Sequence, residues 1–157
     1  MSSKHKPIFA YCVYHAAVVP KKTAREFYAG MSRSLQRCVE SAAGKIEGVK
    51  IGKVEIEPDY LYMNIFIPPR YPVSEVISQI KMRTHAMIRK AAISKGLLRE
   101  NADYKTWCAG YYVTTAQGRS NQKIAEYVKA ALADDVQVGR PKTGVWRGDS
   151  EKGGETE

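Results

Sequence analysis

Residues 49–67 read VKIGKVEIEPDYLYMNIFI. In the second half, Leu61, Met63, Ile65 and Ile67 point one way, and Tyr60, Tyr62, Asn64 and Phe66 point the other. That two-residue period predicts a strand with one face on a core. In the first half Val49 and Ile51 share one phase while Val54 and Ile56 share the other. The slip at Gly52-Lys53 predicts a β-bulge. Glu57-Pro58-Asp59 supplies turn chemistry between the halves, so the stretch reads as a β-hairpin.

Upstream, Ile8 to Val19 is almost wholly apolar and rich in aromatic and β-branched residues, as expected of a buried central strand ended by Pro20. Thr23-Ala-Arg-Glu26 has the form of a capping box. The helix it opens carries Phe27, Met31, Leu35, Cys38 and Ala42 on one stripe and stops at Gly44. Downstream, Pro68-Pro69-Arg70-Tyr71-Pro72 is a stiff entry to a second helix. Its apolar side is Val73, Val76, Ile77, Ile80, Thr84, Met87, Ile88 and Ala91, and Gly96 closes it. Trp107 to Thr115 reads as a fourth strand, broken at Gln117-Gly118. Ser120 is placed to cap a last helix with Ile124, Tyr127, Val128, Ala131 and Leu132 on its apolar side. The pattern fades from Asp134, which divides the chain into a domain at 1–133 and a flexible tail at 134–157, with Trp146 the one large apolar side chain in the tail. The order β-α-β-β-α-β-α predicts an α+β fold of ferredoxin-like βαββαβ type, with an antiparallel sheet and a C-terminal helix.

With 157 residues the chain fits one domain with a proper core. No apolar run approaches the roughly 20 residues of a membrane span. Met1 to Pro7 is polar and basic and lacks the apolar core of a secretory signal, so a cytoplasmic location is expected and no membrane partner. Cys12, Cys38 and Cys108 are far apart and form no C-x-x-C pair, which argues for reduced, mostly buried thiols and against a zinc site. The net charge is +9; the last nine residues contribute −3, leaving +12 on the rest. Such an excess on a small domain favours a polyanion partner. The candidate phosphate contacts are Lys21, Lys22, Arg25, Arg70, Lys81, Arg83, Arg89 and Lys90.

Several local motifs, in order, carry a resemblance over Tyr11 to Leu132. They are Tyr14-His15 with Val19-Pro20-Lys21; Pro58-Asp59 before the alternating strand; Ile67-Pro68-Pro69-Arg70-Tyr71 with Val73-Ser74-Glu75-Val76; Trp107 with Gly110-Tyr111-Tyr112-Val113-Thr114-Thr115; and Tyr127-Val128. Together they resemble the single-tyrosine HUH transposases of insertion sequences. The resemblance implies a homodimer that binds single-stranded DNA hairpins and cuts and rejoins the strand through a phosphotyrosine link. It implies Tyr127 as the nucleophile. It also implies a divalent cation held by two strand histidines, two residues apart, and by a glutamine four residues after the tyrosine.

The sequence departs from that pattern at the metal ligands. Tyr60 and Tyr62 stand at the histidine positions, and Ala131 stands at the glutamine position. A phenol with pKa near 10 is a poor ligand for Mg²⁺ or Mn²⁺, and alanine offers none. No metal site is therefore assigned and no cofactor is expected, Mg or Mn entering only with a rewired site drawn from Asp59, Asn64, His15, His85 and Glu126. Tyr60 and Tyr62 either stack on unpaired bases or form an aromatic pair stabilising the sheet. Tyr127 packs or contacts DNA on one reading and is the nucleophile on the other. Three functions follow. The leading one is a DNA-binding relative of the transposases that recognises single-stranded or hairpin DNA without metal-dependent cleavage. The others are an active transposase working through Tyr127 with a rewired metal site, and a regulatory or structural dimer binding protein or RNA.

Overall fold

The computed structural model describes residues 13–115 and 119–136. The start of the expected first strand with Cys12, the Gln117-Gly118 break, and the tail from 137 with Trp146 lie outside the described residues.

The hairpin forms as read. Strand β2 (Lys50–Glu57) pairs antiparallel with β3 (Tyr60–Phe66), with Glu57 opposite Tyr60 and Ile56 opposite Leu61. The register shifts between Ile51 and Lys53. Gly52 is the reason the shift is tolerated there: a Cβ at this position would lie 2.7 Å from Asn64 Oδ1. Strand β1 (Val13–Val18) lies between β3 and the short β4 (Tyr112–Thr114), antiparallel to both, giving the order β2-β3-β1-β4. This is the ferredoxin-like arrangement expected, with helices α2 (Ser32–Gly44) and α3 (Val73–Ser94) on one face and the C-terminal α4 (Asn121–Val136) on the other. Among the described residues no helix is long and apolar enough to cross a membrane.

Each sheet face has its own core. Ala16, Val18, Leu61, Met63 and Ile65 meet Leu35, Val39, Val76, Ile77, Ile80 and Ile88. Ala17, Val19 and Tyr62 meet α4. Small alanines at 16 and 17 let helices approach β1 from both sides, which is why its sequence shows no clean alternation.

Three local expectations are corrected. The first helix is broken. A 3-10 turn at Lys22–Ala24 leads into α1 (Arg25–Ala29), and α2 starts afresh after Gly30; no side-chain cap bond forms, so the Thr23/Glu26 capping box is absent. The buried line is Tyr28, Leu35, Val39, Ala42 and Ala43, with Phe27, Met31 and Cys38 only half-buried. Tyr28 wins the core place because its hydroxyl finds an acceptor, donating to the Tyr60 carbonyl at 2.6 Å, while its ring meets Trp107 edge-on. The fourth strand is cut short: Trp107 makes an isolated bridge to Pro20, and the ladder resumes only at Tyr112. Between them Gly110 takes φ +83, and Lys81 Nζ donates to the carbonyls of Cys108 and Gly110 at 3.0 and 2.9 Å. Finally, α4 continues to Val136, past the point where the sequence pattern fades, because Asp135 is tied to Lys21.

Lys81 is thus a peg for an irregular segment and not a surface cation. Burial pulls its ammonium down to about 8, with the neighbouring Cys108 acting in the opposite sense. Lys81→Met is expected to cost about 2–4 kcal/mol in urea unfolding, because both carbonyls lose a charged donor.

Candidate functional site

Helix α4 is set by its first turn: Ser120 Oγ accepts the Lys123 N–H at 3.2 Å, and the Ser120 carbonyl accepts that of Ile124 at 3.0 Å. From that start the spacing places Ile124, Tyr127, Val128 and Ala131 on one line against the sheet. Beneath them lie Ala17 and Val19, Tyr62 of β3, Tyr112 of β4, and Cys108. Tyr60, Tyr62, Tyr127 and Ala131, far apart in the chain, therefore meet in one cluster.

The cluster is apolar. Tyr62, Tyr127 and Ala131 are each 3% exposed. Burial, with a smaller contribution from the nearby Cys108 thiol, pushes the Tyr127 phenol well above the ordinary tyrosine range. A phenol in that state is harder to ionise than a free one, the reverse of what an attacking oxygen needs. The Tyr62 hydroxyl lies 2.7 Å from His15 Nδ1, with Asn64 Nδ2 at 3.5 Å from the same nitrogen.

Over the Tyr62 ring sits Arg119, its guanidinium carbon 4.1 Å from the ring centroid. Arg119 Nη1 donates to Glu55 Oε1 at 2.5 Å, Nη2 to the Tyr60 hydroxyl at 3.2 Å and Nε to Asn121 Oδ1 at 2.7 Å. Lys53 Nζ lies 3.1 Å from the other Glu55 oxygen. The hydrogen bonds from Arg119 and then Lys53 hold the Glu55 carboxyl below the usual range. Arg119 and Glu55 escaped the sequence reading. The available signal was the hairpin register, which puts Glu55 directly opposite Tyr62 on the same face.

A family model described as "Transposase IS200 like" matches residues 9–131. The chain belongs to the IS200-like transposase family. It is similar to the transposases for insertion sequence element IS200 of Salmonella typhimurium and of Salmonella typhi. Each is 28% identical over 124 residues, covering 79% of this chain and 79% of the relative. A crystal structure of a candidate transposase from Deinococcus radiodurans r1 shares the fold, with TM-score 0.67 and 15% identity over 83% of this chain and 98% of that one.

For an IS200-like transposase, the residues gathered here do not fit a divalent cation. The Tyr62 oxygen is engaged by His15 and the Tyr60 oxygen by Arg119, Ala131 offers a methyl group, and a guanidinium already covers the pocket. Among the described residues no group of three or more His, Cys, Asp or Glu is placed to hold a metal ion. The substitute set does not assemble. His15 and Asn64 adjoin Tyr62, but His85 lies on α3 across the sheet, bonded to Thr106 Oγ1 at 3.0 Å. Glu126 is exposed and takes a bond from Gln122, and Asp59 stays in the hairpin turn. Nor do Tyr60 and Tyr62 form an open stacking platform, since Tyr62 is sealed beneath Arg119 and α4.

The eight basic candidates do not share one surface. Lys21 pairs with Asp135 at 3.2 Å, and the Lys22 backbone N–H donates to the same carboxylate, leaving the Lys22 side chain exposed. Arg25 is half-buried. Arg70 donates to the Glu47 carbonyl and stacks on Tyr71. Lys81 is spent as described, and Arg89 donates to the carbonyls of Glu100 and Ala102. Arg83 and Lys90 are exposed, but on α3, across the sheet from Tyr127.

Proposed function

We propose that this IS200-like transposase relative binds single-stranded or hairpin DNA as a homodimer and does not carry out metal-dependent strand cleavage. The observation that carries the reading is the enclosure of the Tyr127 phenol between Tyr62, Tyr112 and Ile124, with apolar or engaged groups at every position where a cation would need a ligand. The excess of +12 outside the last nine residues supports an anionic partner, and the family supports DNA as that partner.

The test is gel-shift binding and cleavage on a pool of labelled single-stranded hairpins, in chelator and then in Mg²⁺ or Mn²⁺. The expected result is metal-independent binding without a covalent adduct. With about six phosphate contacts to a single strand, affinity falls roughly 10²–10³-fold between 50 and 200 mM salt. A metal-dependent adduct lost in Tyr127→Phe overturns the reading and restores an active transposase. Equal binding to every polyanion, beside one specific protein ligand, shifts it to a regulatory dimer.

A further inference from the structure

Arg119 has donors to spare. A guanidinium carries five N–H groups. Among the described residues Arg119 commits one to Glu55, one to Tyr60 and one to Asn121, which leaves one N–H on each terminal nitrogen. Its side chain is 20% exposed, and that of Lys53, held on the opposite oxygen of Glu55, is 66% exposed. The Glu55 carboxylate thus fixes two cations side by side at the β2 edge of the sheet, with one net positive charge left over. Beside them, the paired positions Lys53, Asn64, His15 and Thr114 form a polar row across the same sheet face, all at least partly exposed. This row borders the cluster closed by α4, so a strand lying along it passes Arg119 without entering the apolar pocket.

The geometry points to Arg119 and Lys53, braced by Glu55, as a binding site for a backbone phosphodiester of single-stranded nucleic acid, a fixed guanidinium serving where a bound metal ion would otherwise meet the strand. The inference rests on the DNA-binding reading above. The ring of Tyr62 and the hydroxyl of Tyr60 hold the guanidinium in one orientation, so its two spare donors are pre-set for a phosphate. Glu55 has two effects: it positions the cations, and its charge repels the strand.

The test measures hairpin-DNA affinity against salt, in chelator, for the full chain and three variants, with melting temperature as the folding control. Arg119→Gln is expected to weaken binding about tenfold and to lower the slope of log affinity against log salt by about 0.7. Lys53→Gln, a change on an exposed side chain, lowers the slope by a similar amount with an unchanged melting temperature. Glu55→Gln tightens binding several-fold, because the repelling charge is gone. A purely structural Arg119–Glu55 pair predicts otherwise, with Arg119→Gln and Glu55→Gln both lowering the melting temperature and both weakening binding; that outcome overturns the assignment. So does an unchanged affinity and slope in Arg119→Gln and Lys53→Gln while the unaltered chain binds. No binding by the unaltered chain refutes the DNA-binding reading and this site with it.

Discussion

Tyr127→Ala is expected to cost about 3–5 kcal/mol of folding stability, the range for removing a large aromatic ring from a core. For a chain of this size that lowers the melting temperature by roughly 10–15 °C. The ring fills the space between α4 and the sheet, 6.2 Å from the Tyr112 ring and in the same cluster as Tyr62, Ile124 and Val128. Tyr127→Phe keeps that volume and is expected to cost no more than about 1.5 kcal/mol, the scale for removing one buried hydroxyl, while leaving hairpin binding intact. A working nucleophile differs in one readout, with phenylalanine folding normally but abolishing strand transfer. Urea unfolding of both variants, read beside covalent-adduct formation on labelled hairpins, separates the two roles. Equal and small losses of stability in both variants would show that Tyr127 does not bear on the core.

The burial of this residue also shows which parts of the molecule could be read in one dimension. The β2–β3 hairpin was legible because a half-buried strand writes its faces into alternate residues, and the bulge appears as a slip of phase at Gly52. Helix α4 was legible for the same kind of reason, its cap and apolar line being local. The break at Gly30 was not, because the apolar spacing runs through it; the deciding interaction, Tyr28 to the Tyr60 carbonyl, joins residues 32 positions apart. The interruption of the fourth strand depends on Lys81, whose composition signals surface charge and whose ammonium is occupied by backbone carbonyls. At the candidate site the gathering of Tyr60, Tyr62, Tyr127 and Ala131 followed from the family resemblance. Its filling did not. An arginine on the loop into α4 meets a glutamate on the edge strand 64 positions away, and only tertiary structure relates them.

The same tyrosines give the protein a steep alkaline limit. Burial raises the Tyr28 and Tyr127 phenols, and it pushes the Cys108 thiol up to about 11. Each of these groups keeps its proton in the folded chain after the unfolded chain has released it. Their stabilisation is therefore complete below the unfolded pKa, near 10 for tyrosine and 8.5 for cysteine, and is lost as pH rises beyond it. Each pH unit past about 10 removes about 1.4 kcal/mol per retained phenol, so the two tyrosines alone withdraw about 4 kcal/mol by pH ~11.5. Lys81 acts in the opposite sense, because its folded value near 8 lies below its ordinary 10.5. Between those limits the unfolded chain holds the extra proton, and folding gains stability as pH rises. The expected curve of unfolding free energy against pH is nearly level between about pH 8 and 10, then falls sharply. Tyr127→Phe is expected to make that fall shallower, and Lys81→Met to tilt the level portion downward. Phenolate absorbance gives an independent check: Tyr28 and Tyr127 should ionise only as the chain unfolds. If Tyr127→Phe removes a phenol that titrates near pH ~10 while the fold persists, then Tyr127 is open to solvent and its place in the apolar cluster is wrong.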